Sequence, residues 1–150
     1  MSRGASGDMH LNEKYERFLK GLDTCRLATV GPDGCPHCVP VGYVYHDGLL
    51  YMPTAAGTKK ARNIEANPKA CVTVDTLNPA HPELPAGGLM LQGKARLVKE
   101  PAYSKLKVEI ERLSGWHLDE WRIGSKRVNS RPPDSIIVFT PSSVAEFGRL

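Results

Sequence analysis

With 150 residues, 41% hydrophobic and 24% charged, the chain is sized for one domain with a single core, and no apolar run approaches the ~20 residues of a membrane span. Its 20 basic and 16 acidic residues give a net charge of +4 spread along the chain, without the basic stripe or aromatic platforms of a nucleic-acid binder. The four cysteines come without an apolar secretory leader, so reduced thiols and a cytoplasmic protein are expected.

The stretch 1–10, MSRGASGDMH, is polar and rich in Gly and Ser and is predicted to be disordered, with 11–150 forming one domain. Leu11, Tyr15, Phe18, Leu19 and Leu22 recur at helical spacing behind a good N-cap, Asn12, and predict an amphipathic helix to about Leu22. The runs CRLATV, CPHCVPVGYVY and LLYMPT, separated by the turns GPDG and HDG, predict a three-stranded antiparallel meander, since the links are too short for parallel crossovers. A helix from Thr58 to Ala66 stops at Asn67-Pro68, and KACVTVDT supplies a fourth strand. The proline-rich stretch from Leu77 to Gly88 reads as a loop, and GLMLQGKARLV as a fifth strand. Pro101 opens a helix carrying Tyr103, Leu106, Ile110 and Leu113 on one face, and Gly115 ends it. After WHLDEWRI and the turn-rich NSRPPD come the strand SIIVFT and a closing VAEF. The pattern is mainly β with peripheral α: a six-stranded antiparallel Greek-key barrel.

The twelve residues from Tyr51 to Arg62, YMPTAAGTKKAR, carry the clearest chemical signal. Lys59 and Lys60 fall in the first turn of a helix, where unpaired N–H groups and the positive dipole end make each cation unfavourable by roughly 0.3–1 kcal/mol. An anion reverses that sign. Thr54 and Thr58 add hydroxyls, and Gly57 lets a ligand approach the backbone, so the group suits a phosphate monoester; the alternative is a solvated basic turn.

Other motifs point elsewhere less strongly. Cys35-Pro36-His37-Cys38 enters a strand rather than a helix N-terminus and has no second ligand pair, which argues for structural cysteines over redox or zinc chemistry, and no metal is expected. The five histidines are scattered. No nucleophile elbow, Walker loop or dinucleotide fingerprint is present, so an enzyme built on this chain borrows a cofactor, and no catalytic side chain is identified. Trp116 and Trp121, followed by Arg122, Lys126, Arg127 and Arg131, read as rim packing or as a lid over a planar ring.

Taken together, CRLATV, GCPHCVPVGYVY, GLLYMPTAAGTKKARNIEANPKACVTV and GLMLQGKARLV resemble the flavin-binding split-barrel family that includes pyridoxamine 5'-phosphate oxidase, over about Asp23 to Val98. The resemblance implies a split β-barrel homodimer that binds flavin mononucleotide (FMN) at the subunit interface and acts as an oxidoreductase on a small molecule. It places Thr54, Thr58, Lys59 and Lys60 on the flavin phosphate and ribityl chain, and Val39, Pro40 and Val41 along the isoalloxazine, with Gln92 at the ring edge and Trp121 as a lid. The vitamin B6 oxidase itself carries an arginine and a lysine where this strand has His37 and Gly42, and an Arg-x-His pair beyond the match to Glu146-Phe147; the resemblance therefore implies the scaffold rather than that substrate. Relatives of the same barrel take the deazaflavin coenzyme F420, and a flavin-binding module without turnover is a further alternative.

Overall fold

The computed structural model describes residues 10–77, 82–123, 126–127 and 131–150; apart from His10, the expected disorder of the N-terminus lies outside the described residues. The first helix, α1 (Glu13–Lys20), starts where the Asn12 side chain accepts the Tyr15 N–H at 2.9 Å, which is the cap the sequence offers. It packs Leu19 against the barrel interior.

In place of the expected three-stranded meander, strands β1 (Thr24–Val30), β2 (Pro36–Gly42), β3 (Val44–His46) and β4 (Leu49–Thr54) form two hairpins, β2 pairing with β1 and β3 with β4. The middle run is not one strand. It breaks at Tyr43, whose N–H bonds Asp23 O (2.9 Å) and whose hydroxyl donates to Leu19 O (2.7 Å), so the backbone leaves one neighbour and bends toward another. This break gives the sheet seven strands rather than the six predicted.

Helix α2 (Lys59–Ala66) then crosses to β5 (Lys69–Asp75) and β6 (Gly87–Val98), followed by α3 (Ala102–Ser114), a 3₁₀ turn at Leu118–Glu120, a short hairpin of β7 (Arg122–Ile123) and β8 (Lys126–Arg127), and β9 (Ser135–Gly148). Gly115 ends α3 in the left-handed conformation, φ 73°, as the sequence predicts. The predicted runs SIIVFT and VAEF are one continuous strand: adjacent Gln92 and Gly93 of β6 face Ser143 and Pro141, so Ser142 is a bulge in β9 directly beside the proline.

The sheet order is β2-β1-β5-β6-β9-β4-β3. Its two edge strands are the two halves of the segment bent at Tyr43, so the sheet curls into a split barrel. Strands β5, β6 and β9 pair in succession while β4 lies beside β9, which is a Greek key. Two cores result. One fills the barrel with Leu27, Leu50, Met52, Val72, Leu91 and Phe139; the other lies outside it, where Tyr103 and Ile110 of α3 meet Leu118, Trp121, Ile136 and Val138. Among the described residues, no helix is long and apolar enough to cross a membrane.

Candidate functional site

The seam between the two cores opens as a cleft of about 190 Å³. Its walls are Pro40, Val41 and Gly42 of β2, the end of β4 with its following turn, Lys60 of α2, and Leu118, Trp121, Arg131 and Pro133 from the segment before β9. The cleft therefore joins elements far apart in sequence, each delivered by a strand end or a helix start.

One end is built to take negative charge. Thr58 caps α2: its Oγ1 accepts the Ala61 N–H (3.4 Å) and donates to Ala55 O (2.8 Å), and its carbonyl takes the Arg62 N–H (3.0 Å). The N–H groups of Lys59 and Lys60, the two remaining positions of the first turn, have no intrahelical acceptor. No acidic residue lies in that turn. Lys60 is half-buried and lines the cleft, and burial together with the Arg131 charge pulls its ammonium below the usual lysine range. Arg131 comes close on the other side, its Nη2 3.8 Å from where a Cβ on Gly57 would stand. Among the described residues, neither cation has an ion-pair partner.

Asp134 braces this corner. Its Oδ1 accepts the Ala56 N–H (2.8 Å) and the Ser135 hydroxyl (3.1 Å), while its own N–H donates to Thr54 O (3.2 Å). Tyr103 of α3 donates to Pro133 O at 2.8 Å, fixing the same loop from the outer core. Pro133 and Asp134, which follow Arg131 in the chain, are thus tied to α3 and to the Thr54–Ala56 turn.

The other end is aromatic. Trp121 is 4% exposed and meets Trp116 edge-on, ring centroids 4.4 Å apart. Its indole lies on Gly42: a Cβ there would stand 2.6 Å from Trp121 Cζ2 and collide with Nε1, so only glycine fits. Among the described residues, the buried side-chain polar atoms left without a partner are Trp121 Nε1 and His37 Nδ1, one packed on β2 and the other belonging to it.

The residues singled out by sequence divide accordingly. Pro40, Val41, Thr54, Thr58, Lys60 and Trp121 meet in the cleft. Val39 does not line it and packs toward the barrel core. Lys59 is exposed, because consecutive helix positions are about 100° apart and only Lys60 turns inward. Gln92 is exposed on β6, paired with Cys71 and Ser143, outside the cleft of its own chain. Thr58 spends its hydroxyl proton on Ala55 and serves as a cap; Thr54 Oγ1, 3.4 Å away, is the hydroxyl able to turn toward a ligand. Arg131, Gly42 and Asp134 were not assigned to an anion site from sequence, and only the β4–β9 pairing brings the first and last of them to the Thr54 turn. Cys35 and Cys38 are both exposed, and the Cys25 thiol, buried in the barrel, is pushed up to about 12.

A family model described as pyridoxamine 5'-phosphate oxidase matches residues 11–148. Solved structures of the same fold include General Stress Protein 26 from Bacillus anthracis str. Sterne, with 27% identity, a TM-score of 0.65, and 93% of this chain and 95% of that one covered. A FAD-binding protein from Mesorhizobium loti has 22% identity and a TM-score of 0.68, covering 93% of this chain and 96% of that one. An F420 reductase has 24% identity and a TM-score of 0.62, covering 90% and 98%. The last two likenesses are of fold alone. No curated protein matches the chain.

Proposed function

Because the chain belongs to the pyridoxamine 5'-phosphate oxidase family, we propose that its cleft holds the phosphorylated end of a flavin, FMN, and that the protein is an FMN-dependent oxidoreductase acting on a small molecule. The observation that carries this reading is Lys60: a half-buried ammonium beside a second cation, at a helix N-terminus, with no acid among the described residues within ion-pair distance of either. Such a corner is unfavourable when empty and favourable around a dianion.

Lys60, Arg131 and the free N–H groups of the first turn of α2 would hold the phosphate, with the Thr54 hydroxyl beside them. Pro40 and Val41 would floor the ring, and Trp121 would close its far end. A bound flavin supplies hydride or electron transfer; this chain's residues bind, orient and exclude water, and none is needed as an acid or base.

The cleft of one chain, about 190 Å³, is smaller than the roughly 300–1,000 Å³ of a typical ligand pocket. We therefore propose a homodimer in which a second copy completes the enclosure. F420 also carries a phosphate, and an F420 reductase shares the fold. Mass spectrometry of the small molecule that co-purifies separates the two: FMN is expected, F420 would replace it as the cofactor, and an empty protein that also fails to take up added FMN would overturn the assignment.

A further inference from the structure

We propose that the chain carries a second small-molecule site, outside the cleft, which takes an anion with a flat apolar body, of the aromatic-carboxylate class. Between the last turn of α1, β3 and the C-terminal end of α3 lies a cavity of about 370 Å³, within the roughly 300–1,000 Å³ of a typical ligand pocket. A single chain builds it, and it shares no lining residue with the cleft. Trp116 lines the cavity and meets Trp121 of the cleft edge-on, so the two spaces lie on either side of the tryptophan pair. The site is independent of the cofactor reading.

The wall of this cavity is apolar and its free donors are basic. Leu22, Leu113 and the Trp116 indole are only half-buried, so each still has apolar surface to give a ligand. The hydroxyls around it are spent inside the protein: Tyr43 donates to Leu19 O (2.7 Å), Tyr45 to Glu16 Oε1 (2.8 Å) and Ser114 to Ile110 O (2.8 Å). That leaves Lys20 and His46, both exposed at the rim. Among the described residues, neither side chain has a hydrogen-bond or ion-pair partner, and no acidic side chain lines the cavity. The Lys20 ammonium instead lies over the Tyr45 ring, 5.9 Å from its centroid. The acids nearby are engaged elsewhere. Glu16 and Asp47 line a different groove with Leu11 and Leu49, and Glu109, whose charge reaches His46, takes two N–H groups of Arg112. A carboxylate at this rim would supply the missing counter-charge while its ring lies on Trp116 and the leucines; a neutral ring would gain only the second contact.

The test is calorimetric titration of the full chain with 2-naphthoate and with 2-naphthalenemethanol, which share a ring system and differ in charge. We expect the carboxylate to bind at least about fivefold more tightly than the alcohol. Lys20→Glu should weaken the carboxylate at least about tenfold and leave the alcohol within about threefold, and the milder Lys20→Gln should weaken the carboxylate about three- to tenfold. Lys60→Ala, which alters the cleft, should leave the carboxylate within about threefold, since its contacts lie elsewhere. Failure of the carboxylate to bind overturns the proposal, as does equal binding of the alcohol or unchanged carboxylate affinity in both Lys20 variants. Loss of carboxylate binding in Lys60→Ala but not in Lys20→Gln also overturns it, placing the probe in the cleft and leaving the cofactor reading intact.

Discussion

Lys59 and Lys60 are adjacent in sequence, yet only Lys60 reaches the cleft, and that difference is measurable. Removing a charge-assisted contact to phosphate costs about 1.5–3 kcal/mol, so Lys60→Ala should weaken FMN binding about 10- to 100-fold by calorimetry, while Lys59→Ala should change it by less than about threefold. The Lys60 ammonium also sets a pH dependence. Burial first, and Arg131 second, lower its folded-state pKa below that of the unfolded chain. The ligand-free fold is therefore penalised while Lys60 is held charged, and the penalty fades as pH rises through the lowered pKa. Lys60→Met should raise the Tm of the ligand-free protein, with the gain largest at the acidic end of the titration and shrinking as pH rises. FMN affinity should fall over that same rise, from a lower pH than an ordinary lysine would give, and Lys60→Arg should flatten the fall; a pH-independent affinity in the unmodified chain would contradict this. At this scale the sequence showed the anion signal but not its geometry. Helix polarity marks both lysines, whereas the turn of the helix chooses one, and Arg131 has no local signal that ties it to Gly57.

Elements with local signals formed as read. Asn12 caps α1, Gly115 ends α3, and the short turns give the β1–β2 and β3–β4 hairpins. Thr58 belongs with them, because its contacts make it the start of α2. Thr58→Ala should lower stability by about 1 kcal/mol in chemical denaturation, and Thr58→Asn should restore most of it. A Thr58→Ala variant of unchanged stability but much weaker FMN binding would return the hydroxyl to the phosphate. The elements misread were those settled by distant partners. The run predicted as a single middle strand is divided at Tyr43 because Asp23 and Leu19 take its polar groups, and β9 runs through Pro141 with a bulge at Ser142 beside it. The 3₁₀ turn at Leu118–Glu120 and the β7–β8 hairpin have no strong hydrophobic period to announce them.

On the scale of the molecule, the site exists because the sheet closes. The bend at Tyr43 places β2 at one edge and β3 at the other, β9 returns beside β4, and the loop before β9 is carried across to the start of α2. Asp134 and Tyr103 then fasten that loop to the Thr54 turn and to α3, so the cationic corner is assembled by pairings that no short stretch of sequence contains. The mainly β class and the succession of strands along the chain were legible, since alternation and turns are local; the pairings that close the barrel join residues such as Leu50 and Phe139, and were not. On the proposed function, Lys60 and Arg131 face a phosphate, which FMN has and riboflavin lacks while sharing its ring. Calorimetric titration of the flavin-free protein with each should show FMN bound at least about 100-fold more tightly, as two charge-assisted contacts require. Equal affinities for FMN and riboflavin would contradict it.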